Sequence, residues 1–186
     1  MPTFKPQTPT IVDPTGVPLG NEPRPMGTST DMSRAEVADE TGGEPLADFD
    51  STSNPYIDYQ SIDLLLTLQH PRSDAYDETC FFIMGQVKEL LFKSLHFELH
   101  NARHLIRGDQ VHDALLVLDR SLEITKLLIN TWDVVATVSA EGFNQFRNHL
   151  DQASGQLSFM FRHVEFILGN KDRSLASAHR NVPHVW

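Results

Sequence analysis

An arginine among aromatic residues is the feature of this 186-residue chain that most directly suggests binding chemistry. Arg147 lies in the segment FNQFRNHL, with Phe143 and Phe146 before it and a Ser154-Gly155 turn shortly after it. A guanidinium in such surroundings could clamp a carboxylate through two parallel hydrogen bonds. The alternative, which the pattern alone favours, is a surface arginine whose stem lies on apolar neighbours. Arg147 is therefore a candidate for carboxylate binding, with both interpretations open.

Three histidines recur at every fourth position, at His96, His100 and His104. This spacing puts side chains on one face of a helix, so two of them could share a metal ion. No acidic partner is duplicated on another helix, and the repeated Glu-x-x-His pattern of di-iron bundles is missing. The sequence therefore favours a partly exposed histidine row and predicts no metal site.

Other aromatic residues have a plain structural interpretation beside the functional one. Tyr56 and Tyr59, just after Pro55, could line a pocket or pack where the N-terminal segment ends. Four phenylalanines are more typical of a core than of a substrate pocket: Phe81, Phe82, Phe92 and Phe97. The sequence has no Walker loop, no GxSxG and no GxGxxG motif.

Composition limits the classes of function. A net charge of −10 argues against a nucleic-acid or anionic-membrane surface, which would need clustered lysines and arginines. The single Cys80 excludes a disulfide scaffold and a CxxC metal site, and it fits a reducing compartment. There is no signal-peptide pattern and no run of about 18 apolar residues. We therefore expect a cytoplasmic protein that binds neither nucleic acid nor membranes.

Residues 1–54 differ in character from the rest of the chain. They hold eight of the eleven prolines, five of the ten glycines, nine acidic residues and three basic ones. Such a segment buries too little apolar surface to offset its ordering entropy, so the composition predicts a disordered tail. An interaction arm is the functional alternative.

Residues 55–186 have the periodicity of helices and predict an all-α helical bundle. A stripe with steps of three and four runs from 77 to 107, comprising Met84, Val87, Leu91, Leu95, Leu99, Ala102 and Ile106. Gly108 is expected to end this helix and Asp109 to cap the next one. The second stripe comprises Val111, Leu115, Leu118, Leu122, Thr125, Ile129, Trp132 and Ala136. Two long helices joined by so short a turn should pack antiparallel.

Two shorter helices complete the predicted bundle. Ser139 is expected to cap a helix that continues to Leu150. After the turn near Gly155, a last helix carries Leu157, Phe161, Val164 and Leu168 and ends at Gly169.

Five segments in register resemble the N-terminal half of the tryptophan 2,3-dioxygenase family. They are YIDYQSIDLLLTLQ at 56–69, DETCFFIMGQVKELLFK at 77–93, HFELHNA at 96–102, INTWDVVATV at 129–138 and GFNQFRNHLDQASGQLSFMFRHVEFILGNK at 142–171. The resemblance implies an α-helical homotetramer that binds haem b and adds both atoms of O2 across the indole 2,3 bond of tryptophan, giving N-formylkynurenine. Its further implications concern individual residues.

The resemblance assigns substrate-binding positions to aromatic residues and to Arg147. The carboxylate-binding arginine falls on Arg147 and the pocket phenylalanine on Phe81. Two tyrosines that reach into a neighbouring subunit's site match Tyr56 and Tyr59. The positions near the haem match Trp132, Ser154 and Gly155.

The chain also departs from the family pattern. The distal histidine that contacts the indole N–H falls on Gly85, and the pocket tyrosine falls on Phe143. The family's SGFQS is SGQLS here. The proximal haem histidine belongs to a C-terminal half that these 186 residues do not contain, and neither His179 nor His184 matches it. His163 is the best placed substitute ligand.

Three hypotheses follow for the function. The first is that the chain is part of a tryptophan dioxygenase-type enzyme that needs a C-terminal half, supplied by a partner chain or encoded in an intact gene. Its substrate is tryptophan or a related aromatic amino acid of secondary metabolism. Alternatively, the chain is a non-catalytic helical module for oligomerisation or interaction, or it is a degenerate fragment of the family. The loss of a polar partner at Gly85 would relax discrimination for the indole N–H if the first hypothesis holds.

Overall fold

The computed structural model describes Lys5, residues 29–43 and residues 54–177. Within this part of the chain all regular structure is helical, as the sequence predicts. The α-helices are α1 (Asp31–Thr41), α2 (Pro55–Gln60), α3 (Ile62–Leu65), α4 (Tyr76–Arg107), α5 (Val111–Val135), α6 (Ala140–Phe146), α7 (Phe159–Ile167) and α8 (Arg173–Ser177). Helices α1 to α3 belong to one compact unit, Leu19–His70, and α4 to α8 belong to a second unit that begins at Pro71.

The second unit is built on α4 and α5, which have 32 and 25 residues and pack antiparallel as predicted. Their antiparallel register follows from the contacts, in which residues progressively earlier in α4 meet residues progressively later in α5. Leu105 and Ala102 form a buried cluster with Ala114 and Val117 near the turn. Further along, Glu98 pairs with Arg120.

A second buried cluster lies beyond this ion pair and brings in the last long element of the bundle. It contains Leu95 of α4, Ile124 and Leu128 of α5, and Val164 of α7. The rings of Phe92 and Phe161 pack beside it with centroids 5.4 Å apart. Helix α7 therefore covers the middle of α4.

The face of α5 that packs on α4 is not the one that the sequence analysis selects. The buried residues form what we call the inner seam: Ala114, Val117, Ser121, Ile124, Leu128 and Thr131. The predicted stripe is displaced by one residue and most of it is exposed; we call its first seven residues the outer seam: Val111, Leu115, Leu118, Leu122, Thr125, Ile129 and Trp132. One residue corresponds to about 100° around a helix, so the two seams face different directions. On α4 the predicted stripe is largely buried or half-buried, except that Leu105 is buried in place of exposed Ile106.

The turn between α4 and α5 also differs from its prediction. Gly108 ends α4 with φ −89°, and Asp109 takes the left-handed conformation with φ 58°. Gln110, rather than Asp109, occupies the N-cap of α5, and its side chain makes no capping hydrogen bond. Aspartate tolerates positive φ better than most residues, so Asp109 can adopt this conformation.

The start of α4 is held by a carboxylate that folds back on the preceding loop. Buried Glu78 accepts hydrogen bonds of 2.8 Å from the backbone N–H groups of Arg72 and Ser73, and one from the Ser73 hydroxyl. The Ser73 hydroxyl, followed by the backbone N–H of Arg72, lowers the pKa of Glu78. The Glu78 carboxylate, at the third position of α4, thus accepts hydrogen bonds from donors of the loop that precedes the helix.

Ser139 caps α6 as predicted, accepting a hydrogen bond of 2.9 Å from the Gly142 N–H. The helix ends at Phe146 and tightens into a 3-10 turn over Arg147–His149, instead of continuing as an α-helix to Leu150. Gly142 is buried against the first turn of α4, where an added Cβ would lie 1.9 Å from Asp77 Oδ2. A side chain at this position would therefore have to displace the Asp77 carboxylate.

Opposite effects are expected from alanine at two glycines of this unit. Gly142→Ala should lower the free energy of unfolding by about 1–2 kcal/mol, because the methyl group displaces Asp77 from its place. Gly85→Ala should raise it by about 0.5–1 kcal/mol, since Gly85 lies inside α4 and its Cβ would meet nothing within 4 Å. Urea titration followed by circular dichroism measures both. Equal effects of the two substitutions would contradict the tight contact at Gly142.

The first unit contains a helix that the sequence analysis does not predict. Helix α1 lies in the segment expected to be disordered, and a capping box between Thr30 and Ser33 begins it. It has no buried residue, so no core packing holds it. Most of residues 1–54 lies outside the described residues, and the disorder of that tail stays a prediction. Asn54 and Pro55 begin α2 with a side-chain cap and a proline in the first turn.

No described helix is both long and apolar enough to cross a membrane.

Candidate functional site

Phe81, Phe143, Phe146 and Arg147 come together where α4 meets α6. The ring centroid of Phe81 lies 5.9 Å from that of Phe143 and 5.3 Å from that of Phe146. Phe146 is fully buried and anchors the group, whereas Phe81 and Phe143 are half-buried. Such tilted ring pairs are favourable arrangements of aromatic side chains. The structure thus brings together three residues that the resemblance assigns to substrate binding.

Arg147 lies at the open side of this aromatic group. Its guanidinium carbon is 5.9 Å from the Phe143 ring centroid, and it donates a long hydrogen bond of 3.4 Å to Asn144 Oδ1. The side chain is exposed. A guanidinium has five N–H donors, so this contact leaves most of them able to bind a ligand carboxylate.

A second part of the candidate site lies further along α4. Phe81, Gly85 and Lys88 follow one another at helical spacing, and an added Cβ at Gly85 would meet open space. The Lys88 ammonium lies 3.3 Å from the ring centroid of Trp132, a close cation–π contact between α4 and α5. Burial lowers the pKa of Lys88. The Trp132 side chain is 62% exposed, so most of the ring remains accessible.

Lys88 is a residue that the sequence analysis misses. Lys88 lies three residues after Gly85, a spacing that places both residues on one face of α4. The contact between Lys88 and Trp132 could not be predicted in this way, because it depends on the register of α4 and α5. We refer to Gly85, Lys88 and Trp132 together as the α4–α5 wall.

The Ser154-Gly155 turn is exposed and is connected to α7. Ser154 accepts a hydrogen bond of 3.3 Å from the Gln156 N–H and begins a 3-10 turn. Arg162 of α7 is buried and donates to the Gln156 carbonyl at 2.9 Å and to Gln156 Oε1 at 2.8 Å. It also forms an ion pair with Glu165. Arg162 therefore positions the turn, a role that no local pattern in the sequence indicates.

Within the histidine row, His100 and His104 are partly exposed as predicted, whereas His96 is buried. His96 is 9% exposed, and its Nδ1 atom is buried without a hydrogen-bond partner. His163 from α7 packs on it with ring centroids 5.2 Å apart, and His100 lies 6.4 Å away on the same helix. Burial, followed by the charges of His163, His100 and Arg103, lowers the pKa of His96 to about 4. No group of three potential metal ligands occurs among the described residues.

The remaining candidates lie elsewhere. Tyr56 and Tyr59 belong to the first unit, where both are exposed on α2. His179 and His184 fall outside the described residues. A cavity of about 660 Å³ lies at the start of α4, lined by Pro71, Tyr76, Cys80 and their neighbours. None of the predicted site residues lines it, so we do not assign it to the candidate site.

The fold and these contacts define an all-α protein that presents an arginine–phenylalanine group, an accessible tryptophan and an open glycine position. Comparison with known proteins identifies its family. A family model described as Tryptophan 2,3-dioxygenase matches residues 41–182. The chain belongs to the tryptophan 2,3-dioxygenase family.

Bacterial relatives support this membership. Tryptophan 2,3-dioxygenase 1 of Ralstonia nicotianae is 36% identical over 163 residues, which cover 88% of this chain and 54% of the relative. The Pseudomonas fluorescens tryptophan 2,3-dioxygenase is 39% identical over 133 residues, covering 72% and 47%. The enzyme of Bradyrhizobium diazoefficiens is 37% identical over 158 residues, covering 85% and 54%. The chain thus spans about half the length of the curated relatives it matches.

Proposed function

We propose that this chain is the substrate-binding part of a haem-dependent oxygenase that acts on tryptophan or a tryptophan-like aromatic amino acid. The proposal includes a C-terminal half that supplies the haem's axial ligand, because the chain matches about half of each relative. The observation that carries it is the group formed by Phe81, Phe143 and Arg147. An aromatic amino acid needs apolar contact for its ring and a cation for its carboxylate, and this group offers both.

Arg147 is proposed to bind the substrate carboxylate. Its exposed guanidinium beside Phe143 can form two parallel hydrogen bonds, which fix the orientation of the amino acid as well as its position. Phe81 and Phe143 would then contact the indole ring. Because Phe143 stands where the family has a tyrosine, this chain offers the ring without a hydroxyl donor.

The residues of the α4–α5 wall fit one face of a haem. Gly85 has open space where a side chain would project, and Trp132 offers an accessible ring for stacking. We propose that Trp132, Ser154 and Gly155 contact haem b, which supplies the activation of O2 when bound.

Gly85 is proposed to widen the range of substrates. A histidine at this position would offer a hydrogen-bond partner to the indole N–H, and glycine offers none. A site without that partner loses little binding free energy when the indole N–H is replaced by an N-alkyl group. N-substituted indoles should therefore bind about as well as tryptophan.

Assembly and location are also part of the proposal. The exposed rings of Tyr56 and Tyr59 support the idea that they reach the site of a neighbouring subunit in a homotetramer. We further propose a cytoplasmic location. The second candidate function is a non-catalytic interaction module, which the exposed outer seam of α5 favours.

A reconstituted complex tests the enzymatic proposal. The full chain would be co-expressed, with haem supplied, with the C-terminal half of the Pseudomonas fluorescens relative, and absorption spectra recorded. We expect a histidine-ligated Soret band from the complex and not from the chain alone. Tryptophan and 1-methyltryptophan should both perturb this band. Arg147→Lys should weaken the binding of each ligand by on the order of 1–3 kcal/mol, because lysine keeps the charge but not the bidentate geometry.

The matched control is Arg107→Lys, an exposed arginine at the end of α4. It should leave both titrations unchanged. A complex without a haem spectrum would count against the oxygenase and favour the interaction module. A histidine-type band from the chain alone, abolished by His163→Ala, would mean that His163 is the ligand and that no second half is needed.

A further inference from the structure

Lys88 is a half-buried cation to which the proposed function gives no role. Its ammonium lies 3.3 Å from the ring centroid of Trp132, and among the residues that the structure describes no carboxylate pairs with it. Burial lowers the pKa of Lys88, because water solvates its charged form only in part. The face of an aromatic ring attracts a cation but is a poor substitute for an oxygen acceptor. The three N–H donors of the ammonium are therefore available to an acceptor on a ligand.

Lys88 shares one face of α4 with the aromatic group of the candidate site. It follows Phe81 by seven residues, which is close to two turns of helix, so both side chains project in nearly the same direction, about 10 Å apart along the axis. Gly85 lies between them on this face, and an added Cβ there would meet nothing within 4 Å. We call Phe81, Gly85 and Lys88 the α4 strip, with aromatic and cationic ends and open space in the middle.

The aromatic end of the α4 strip lies beside Arg147. The Arg147 guanidinium is 5.9 Å from the ring centroid of Phe143, and that ring packs on Phe81. An aromatic amino acid with its carboxylate on Arg147 and its ring against Phe81 finds free space at Gly85, in the direction of Lys88. The far edge of its ring then comes within reach of an ammonium on a flexible four-carbon stem.

The chemistry of lysine decides what that far edge should carry. An ammonium donates hydrogen bonds and accepts none, so it cannot replace a histidine as the acceptor for an indole N–H. A hydrocarbon ring edge would leave the charge desolvated without a hydrogen bond, which is unfavourable. An oxygen substituent would accept that hydrogen bond. The α4 strip therefore favours a ring that bears oxygen over one that bears only carbon and hydrogen.

We propose that Lys88 is a specificity-determining residue and that it selects a tryptophan-like amino acid with a hydroxyl or alkoxy group on the benzene part of the indole ring. This inference rests on the proposed function and deepens it by naming the substrate class. The Lys88 ammonium turns from the Trp132 ring and donates a hydrogen bond to the substituent oxygen. Gly85 supplies the room that the substituent needs.

Matched pairs of ligands test this inference. Hydroxytryptophans and methyltryptophans substituted at the same ring position would be titrated by calorimetry into the full chain and into its complex with the C-terminal half of the Pseudomonas fluorescens relative. The two substituents are similar in size, but only the hydroxyl oxygen accepts a hydrogen bond. At one or more ring positions the hydroxyl compound should bind about tenfold more tightly than the methyl compound, as expected for a hydrogen bond to a charged group.

Substitutions at Lys88 assign the preference to its ammonium. Lys88→Met should abolish the tenfold ratio, because methionine keeps an unbranched stem and removes the donors. Lys88→Arg should keep part of the ratio, since a guanidinium also donates. The matched control is Lys93→Met, an exposed lysine on the same helix, which should leave the ratio unchanged. Circular dichroism checks that each variant folds, and Lys88→Leu replaces a methionine variant that does not.

Several results would overturn the inference and leave the proposed function standing. They are equal binding of the hydroxyl and methyl compounds at every ring position, and a preference that survives Lys88→Met. A third is loss of haem from the Lys88→Met complex with an unchanged ratio, which would assign the ammonium to a haem carboxylate. If neither the chain nor the complex binds any aromatic amino acid, the proposed function fails and the inference fails with it.

Discussion

Arg162→Ala is expected to lower the free energy of unfolding by about 3 kcal/mol. Arg162 is 4% exposed, and its guanidinium pairs with Glu165 and donates to two oxygen atoms of Gln156. Truncation removes the ion-pair partner of the half-buried Glu165 carboxylate, whereas the exposed Gln156 can turn to water. Removing one partner of a buried ion pair lowers the free energy of unfolding by more than the intact pair contributes to it, because the remaining charge stays desolvated.

Urea titration of the parent and the variant measures this effect, and Arg147→Ala is the matched control. Arg147 is exposed and makes one long hydrogen bond, so its loss should cost less than about 0.5 kcal/mol. Arg162→Lys should recover part of the loss, since lysine restores the charge but not the two-pronged geometry. A cost below about 1 kcal/mol for Arg162→Ala would contradict its role in holding the Ser154-Gly155 turn against α7.

Acid should destabilise the second unit through His96. Burial, together with the neighbouring basic groups, lowers the folded-state pKa of His96 to about 4, against 6.5 in the unfolded chain. Between these values the unfolded state binds the proton and the folded state does not. The stabilisation is therefore complete above about pH 6.5 and is lost progressively as the pH falls toward 4. The expected loss is on the order of 2 kcal/mol, allowing for partial screening by solvent.

His96→Leu should remove most of this pH dependence. It should cost little at pH 7, because it eliminates a buried Nδ1 atom that has no partner. The charged groups that act on His96 are His163 from α7, with His100 and Arg103 from α4, and all are basic. A smaller slope should remain from His100, whose pKa is lowered by burial and then by His104 and Arg103.

Free energies of unfolding at pH 7.5, 6.5, 6.0 and 5.5 measure the effect above the range where carboxylates titrate. Glu78 and Asp172 have lowered pKa values, so their stabilisation is lost below about 4.5 and 3.8. His112→Gln, an exposed histidine on α5, is the control and should keep the parent slope. An identical slope in His96→Leu and the parent would mean that His96 is not the titrating group.

The sequence by itself determined the helices of the second unit and their pairing. Long runs with steps of three and four predict α4 and α5, because apolar residues at that period can be buried together only in a helix. The short turn that begins at Gly108 favours antiparallel packing of the two helices. Ser139 marks the start of α6 through a local hydrogen bond. Five segments in register also sufficed for the family, which the comparisons confirm.

Local signals were also present where the sequence analysis failed. The capping box of Thr30 and Ser33 marks the start of α1, but apolar periodicity does not reveal a helix that buries no residue. Gly108 ends α4 as predicted, but the residue type of Asp109 predicts the N-cap of α5 there, and Gln110 occupies that position. The roles assigned to Tyr56, Gly85 and Arg147 stay predictions until ligand binding is measured.

Only the tertiary structure decided which face of α5 meets α4. The inner and outer seams have the same period and differ by one residue, so periodicity alone cannot choose between them. The inner seam contains small residues such as Ala114 and Ser121, which let α4 and α5 approach closely, whereas the larger Leu122 and Ile129 are exposed. Lys88 over Trp132, the buried His96 and the Arg162 network follow from the same packing. Their partners are distant in sequence or on another helix, and a contact of that kind exists only once the helices are in register.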